Sequence, residues 1–129
     1  MHLKFPKNDD KYWWTDHVFR KMVFYGLSAD RIKRVIRSPK RVEDGVAENT
    51  IAVMQSSTNT KKPTEIWVMY QEARRGRASG LKSKAESLKP NKKIVISAWR
   101  YPGVSPIGKQ IPIPMDILEE LKNEGILEK

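Results

Sequence analysis

Two helices are predicted from the spacing of apolar residues near the start of the chain. Apolar residues recur at helical spacing over 15–25 and again over 29–37. Thr15 and Ser28 can cap the two first turns, and Gly26 is placed to end the first helix. Because the link between them is short, the pair is predicted to form an αα-hairpin.

After Pro39 the pattern becomes typical of β-strands. Val42 and Val46 flank Asp44–Gly45, a dipeptide that favours a short hairpin. β-Branched and aromatic residues are then dense in three segments, each bounded by turn-forming residues. The predicted strands are 50–55, 65–71 and 93–101. Their succession predicts an antiparallel meander and therefore a small α+β domain.

The tail carries a third apolar stripe of helical spacing. Ile117, Leu118 and Leu121 predict a helix over 115–124 that ends at Gly125. Residues 115–129 have a net charge of −3, whereas residues 74–93 have a net charge of +7. The opposite signs suggest that the tail folds over the basic loop or the sheet and inhibits binding, in which case deletion after Gly108 would strengthen RNA binding.

Composition limits the chemistry that the chain can perform. Its 129 residues include no Cys and two His, which excludes disulfides, a thiol nucleophile and a multi-histidine metal centre. We therefore expect neither a metal site nor a cofactor. The net charge of +10 favours a polyanionic partner. No long apolar run is present, so we expect a cytoplasmic protein with no membrane contact.

Thr15–Met22 is followed by Gly26–Leu27–Ser28 and by Arg41–Val42 at the predicted entry to the sheet. This succession resembles the opening of one prokaryotic family of uncharacterised domains, which is allied to BrnT-like and RelE-like toxins. Its paired strands and closing aromatic are similar to Ile66–Tyr70 and to 94–101. Two family arginines are replaced here, by Lys21 and by Tyr25.

The resemblance implies a RelE-like fold, in which an N-terminal helical hairpin packs on a four-stranded antiparallel sheet. A C-terminal helix is added here. We predict an N-terminal arm over 1–12, the RelE-like domain over 13–102 with its basic loop at 73–93, and an extension over 103–129. Many relatives implied by the resemblance cleave RNA or bind ribosomes.

Five residues are candidates for metal-independent RNA cleavage. His17 could transfer the protons of the reaction, and Arg20 and Lys21 could neutralise the phosphate as it is attacked. The resemblance implies sheet-borne Arg and Tyr residues, which are Arg100 and Tyr101 here. The alternatives are that His17 caps the helix or is a packed core residue, and that the two cations are ordinary helix-face charges.

A basic loop beside an aromatic sheet face suits RNA binding. If Ile94, Ile96 and Ala98 face the helices, alternation places Val95, Ser97, Trp99 and Tyr101 on the opposite face, where rings could stack on bases. Alternatively, the C-terminal helix covers that face. The predicted nucleic-acid-binding residues are Arg74, Arg75, Arg77, Lys82, Lys84, Lys92, Lys93 and Trp99.

These patterns favour an RNA-binding, metal-independent ribonuclease of the toxin–antitoxin type. The alternative is a non-catalytic module that binds nucleic acid or the ribosome on the same fold. The partners expected are RNA or the ribosome, and an acidic antitoxin protein is a further possible partner.

Overall fold

A computed structural model of the chain describes residues 5–47, 49–56, 63–72, 92–106 and 110–125. Its elements, in chain order, are β1 (Tyr12–Trp14), α1 (Asp16–Tyr25), α2 (Ala29–Arg37), β2 (Arg41–Asp44), β3 (Thr50–Ser56), β4 (Thr64–Glu72), β5 (Lys93–Pro102) and α3 (Met115–Asn123).

Local capping explains the helical hairpin, which confirms the sequence prediction. The side chain of Thr15 accepts a hydrogen bond from the N–H of Val18, and that of Ser28 accepts one from the N–H of Arg31. Gly26 then ends α1 with a φ of 69°, in the left-handed region. The turn between α1 and α2 is therefore set by residues that are adjacent in sequence.

We expect Gly26→Ala to reduce the free energy of unfolding by about 1–2 kcal/mol. The added Cβ would meet no atom within 4 Å, so the loss comes from the left-handed backbone alone. Urea unfolding would measure it, with Gly26→Asn as the control, because Asn tolerates this conformation better. An alanine variant as stable as wild type would contradict this explanation of the turn.

The sheet has five strands and is mixed, in the order β1-β5-β4-β3-β2. The α+β class is confirmed, but the four-stranded antiparallel arrangement was wrong. The missed strand is β1, which pairs in parallel with the start of β5, so that Tyr12 lies opposite Lys93. It follows a turn in which Asp9 Oδ1 accepts the N–H groups of Lys11 and Tyr12, both at 2.8 Å.

The hairpin predicted around Asp44–Gly45 exists, and its second strand begins at Thr50, as predicted. Val46 lies in the connection, and β2 pairs with β3 so that Asp44 is opposite Ile51. A longer turn, in which Asn49 has a positive φ of 61°, replaces the two-residue turn that the dipeptide favours.

Apolar side chains pack on both faces of the sheet. One cluster lies under the helical hairpin of α1 and α2 and contains Val18, Ile32 and Val68. The other cluster lies under α3 and contains Trp67, Trp99 and Leu121. Ile117 and Leu121 have no exposed surface. The alternative in which the C-terminal helix covers the second sheet face is thus the one observed.

A β-bulge changes which face the residues of β5 occupy. Met69 pairs with Ser97 while Tyr70 pairs with Val95, so Ile96 is an extra residue. Ile94 and Ile96 consequently lie in the cluster under α3, and Val95 lies in the cluster under the hairpin. Simple alternation along β5 was therefore wrong before the bulge, whereas Ala98 and Trp99 lie on the expected faces.

A buried carboxylate fixes the path of the chain from β5 towards α3. Glu65 is 2% exposed and accepts hydrogen bonds from Trp67 Nε1 at 3.0 Å and from Ser105, through its N–H at 3.0 Å and its hydroxyl at 2.6 Å. Arg41 Nη1 lies 3.9 Å from the same carboxylate and 2.7 Å from Ser105 Oγ. These contacts join β2, β4 and the segment after β5.

Candidate functional site

Helix α1 lies along the edge of β5 beyond the point where β1 ends. Thr15 Oγ1 is 3.1 Å from the carbonyl oxygens of both Val95 and Ile96, and Arg100 Nε donates to the carbonyl of Tyr25 at 2.9 Å. From this position, one face of α1 packs in the apolar cluster that it shares with α2, and another face contacts α3. The candidate site lies at the contact between α1 and α3.

His17 is fully buried at that contact. Its Nε2 lies 2.9 Å from Ser97 Oγ, and its Nδ1 lies 3.3 Å from Glu120 Oε1 and 3.3 Å from Glu124 Oε2. His17 belongs to α1, Ser97 to β5 and Glu120 to α3, and Glu124 is the C-cap residue of α3. The prediction singled out His17, but neither the serine nor the two glutamates.

Burial lowers the pKa of His17 below its usual value. The carboxylates of Glu124 and Glu120 act in the opposite direction, and the charge of Lys21 adds to the lowering. Burial is the largest of these effects and sets the direction of the shift. His17 has no exposed surface. Its Nδ1 faces Glu120 and Glu124, and its Nε2 faces Ser97.

The two cations predicted to stabilise phosphate are paired with carboxylates of α3. Lys21 Nζ lies 2.7 Å from Glu120 Oε2 and 3.2 Å from Asp116 Oδ2, and Arg20 Nη2 lies 2.8 Å from Glu124 Oε2. Burial opposes the charge of Lys21, but its hydrogen bonds to the two carboxylates outweigh that effect and raise its pKa. Carboxylates from α3 and its C-cap therefore pair with both of these cations of α1.

The other predicted catalytic residues lie away from His17. Arg100 is half-buried beside Tyr25 and α2, and Tyr101 is half-buried against the cluster under α3. The structure therefore brings His17, Arg20 and Lys21 together but does not add Arg100 to them.

The predicted binding residues are distributed unevenly. Trp99 has no exposed surface and stacks on Trp67 at 6.2 Å, so it presents no ring face to a base. Lys92 Nζ lies 5.7 Å from the Trp13 ring, and Lys93 Nζ lies 3.7 Å from a carboxylate oxygen of Glu72. The other predicted residues lie outside the described part of the chain: Arg74, Arg75, Arg77, Lys82 and Lys84.

A second basic surface was not singled out from the sequence. It consists of the cations of α2 together with Arg100, and we name it the α2 basic surface: Arg31, Lys33, Arg34, Arg37 and Arg100. Within the described residues, no carboxylate lies within ion-pair distance of its four arginines. The spacing of three residues between Arg31, Arg34 and Arg37 along α2 was the available signal.

Repulsion between like charges is visible on this surface. Burial lowers the pKa of Arg31, and the charges of Arg34 and Arg100 lower it further. The buried Nε of Arg31 also has no hydrogen-bond partner among the described residues. An anion bound here would relieve both effects.

Comparisons of the chain with family models, with curated proteins and with solved structures gave no match. Among the described residues, no helix has the length and apolar character needed to cross a membrane.

Proposed function

We propose that this protein binds RNA through the α2 basic surface, and that the net positive charge of residues 74–93 adds to the attraction. The observation that carries the proposal is the grouping of Arg31, Arg34 and Arg100 without a carboxylate partner among the described residues. Guanidinium groups bind phosphate in a fork geometry, and such contacts supply most of the affinity for a nucleic-acid backbone.

Ion pairing supports binding over cleavage as the function of this conformation. The cations of α1 are neutralised by α3, and His17 is closed off from solvent. Cleavage by these residues would require α3 to leave α1. The toxin-type ribonuclease, and an acidic antitoxin as its partner, therefore stay predictions, and the binding experiment below can test the former.

We expect wild-type protein to bind a fluorescently labelled single-stranded RNA of about 20 nucleotides in EDTA. If four phosphates are contacted, affinity should fall about 50-fold between 50 and 200 mM salt, from a slope of about 0.7 per phosphate. Arg34→Glu should weaken binding about tenfold at the lower salt, because it removes one contact and adds a repulsive charge. Fluorescence anisotropy measures both effects.

Lys122→Glu is the matched control, since it makes the same kind of charge change at an exposed position of another helix. It should weaken binding less than threefold. Equal losses in the two variants would show that net charge alone attracts the RNA, and would contradict the proposed surface. Cleavage of the RNA in EDTA that His17→Ala abolishes would instead favour the ribonuclease.

A further inference from the structure

Three side chains at the contact between α1 and α3 have the composition of a metal site. Ligand atoms of His17, Glu120 and Glu124 all lie within 4.8 Å of one another. Glu120 on α3 and Glu124 at its C-cap are four residues apart, so their side chains lie about one turn apart on the same side. Imidazole nitrogen and carboxylate oxygen are both common zinc ligands.

Two of the three separations between the ligand atoms match those of a tetrahedral centre. With bonds of about 2.0–2.1 Å, two ligand atoms of tetrahedral Zn²⁺ are separated by about 3.3–3.4 Å. His17 Nδ1 lies 3.3 Å from an oxygen of each glutamate. All three ligand atoms lie within 4.8 Å of one another, so a cation bound by all three would draw the two carboxylate oxygens closer together.

The Nδ1 atom of His17 is buried and directed at the two carboxylates, yet it makes no hydrogen bond within the described part of the chain. Buried polar atoms are usually satisfied, so this atom calls for an explanation. A neutral imidazole whose proton is on Nε2, donated to Ser97 Oγ, presents a lone pair at Nδ1. That lone pair is what a metal ion needs.

Neighbouring groups orient the ligands as outer-shell residues do in metal sites. Lys21 holds Oε2 of Glu120, which leaves Oε1 facing His17. Arg20 pairs with Oε2 of Glu124, the same oxygen that lies near His17. A carboxylate oxygen has two lone pairs, so Oε2 retains one for a second partner. Ser97 fixes the imidazole from the other side.

The local charge also favours a cation. Three carboxylates, Asp116, Glu120 and Glu124, are balanced by only two cations, Arg20 and Lys21. With a neutral imidazole the cluster carries one net negative charge. A divalent ion would reverse that sign while remaining paired with two carboxylate ligands.

We propose that His17 Nδ1, Glu120 Oε1 and Glu124 Oε2 bind one Zn²⁺ ion, with a water molecule as the fourth ligand. The ion would tie α3 to α1 and to the edge of β5. This site is separate from the α2 basic surface, and its test contains no RNA, so the two proposals succeed or fail independently.

The test is titration of the full, untagged chain carrying His2→Ala, which removes the one other histidine. Calorimetry with Zn²⁺ should give one site per chain. Co²⁺ should produce the visible absorption bands of a tetrahedral complex. Glu124→Gln should weaken Zn²⁺ binding at least about tenfold, since even outer-shell substitutions cost 10–100-fold.

Glu119→Gln is the matched control, because Glu119 is exposed on the same helix and outside the ligand set. It should keep the affinity for Zn²⁺ and the rise in Tm that Zn²⁺ causes, while Glu124→Gln loses both. Both positions are solvent-accessible, and circular dichroism verifies that each variant is folded. Absence of saturable one-to-one binding, or equal affinities in the two variants, would overturn the proposal.

Discussion

Leu121→Asp is expected to destabilise the protein by at least about 4 kcal/mol, which is close to the whole stability of many small domains. Removing a buried leucine costs about 2–5 kcal/mol, and burying an unpaired carboxylate adds to that cost. Leu121 has no exposed surface and packs in the cluster that contains Trp67 and Trp99. Thermal and urea unfolding followed by tryptophan fluorescence would measure the loss.

Met115→Asp is the matched control, since Met115 is 70% exposed in the first turn of the same helix, where an acidic residue is favourable. Its effect should remain within about 0.5 kcal/mol. Because α3 covers one face of the sheet, deletion after Gly108 should unfold the chain rather than strengthen RNA binding. A Leu121→Asp variant that unfolds cooperatively at the wild-type midpoint would restore the hypothesis of a detachable inhibitory tail.

Glu65→Ala is the second substitution with a large expected effect, about 3–5 kcal/mol. It would leave the donors of Trp67 and Ser105 without their acceptor and deprive Arg41 of a buried counter-charge. Buried groups that lose a partner incur the full cost of their desolvation. We expect the midpoint of urea unfolding to fall accordingly.

Glu43→Ala provides the comparison, because Glu43 also pairs with Arg41, at 2.9 Å, but is about one-third exposed. Loss of this more exposed pair should cost no more than about 1 kcal/mol. If the two variants lost similar amounts, the burial of Glu65 would not be the source of its contribution.

The helices were predictable because their signals are local. Thr15, Ser28 and Gly26 act within one turn of their own positions. β1 was missed because a three-residue strand has no measurable period, and because its pairing depends on residues about 80 positions away. The extra residue at Ile96 was missed for a related reason, since a bulge is defined by the partner strand and not by the strand that contains it.

The candidate site was only partly predictable. His17 was singled out for its chemistry, but its partners Ser97, Glu120 and Glu124 are distant in sequence. They are brought close by the packing of α1 along β5 and by the docking of α3. One signal was present in the tail, namely two carboxylates four residues apart beside an apolar stripe. It indicates that the two carboxylates lie at the border of the buried face of the helix. It does not indicate which residue of another element they contact.

The parallel pairing of β1 with β5 bears on the order of events during synthesis. Ribosomes add about 5–20 residues per second, so about 80 further residues require about 4–16 seconds after Trp14 is made. During this interval β1 and α1 lack β5, the strand against which they pack. Newly made chains are thus expected to depend on chaperones until β5 has emerged.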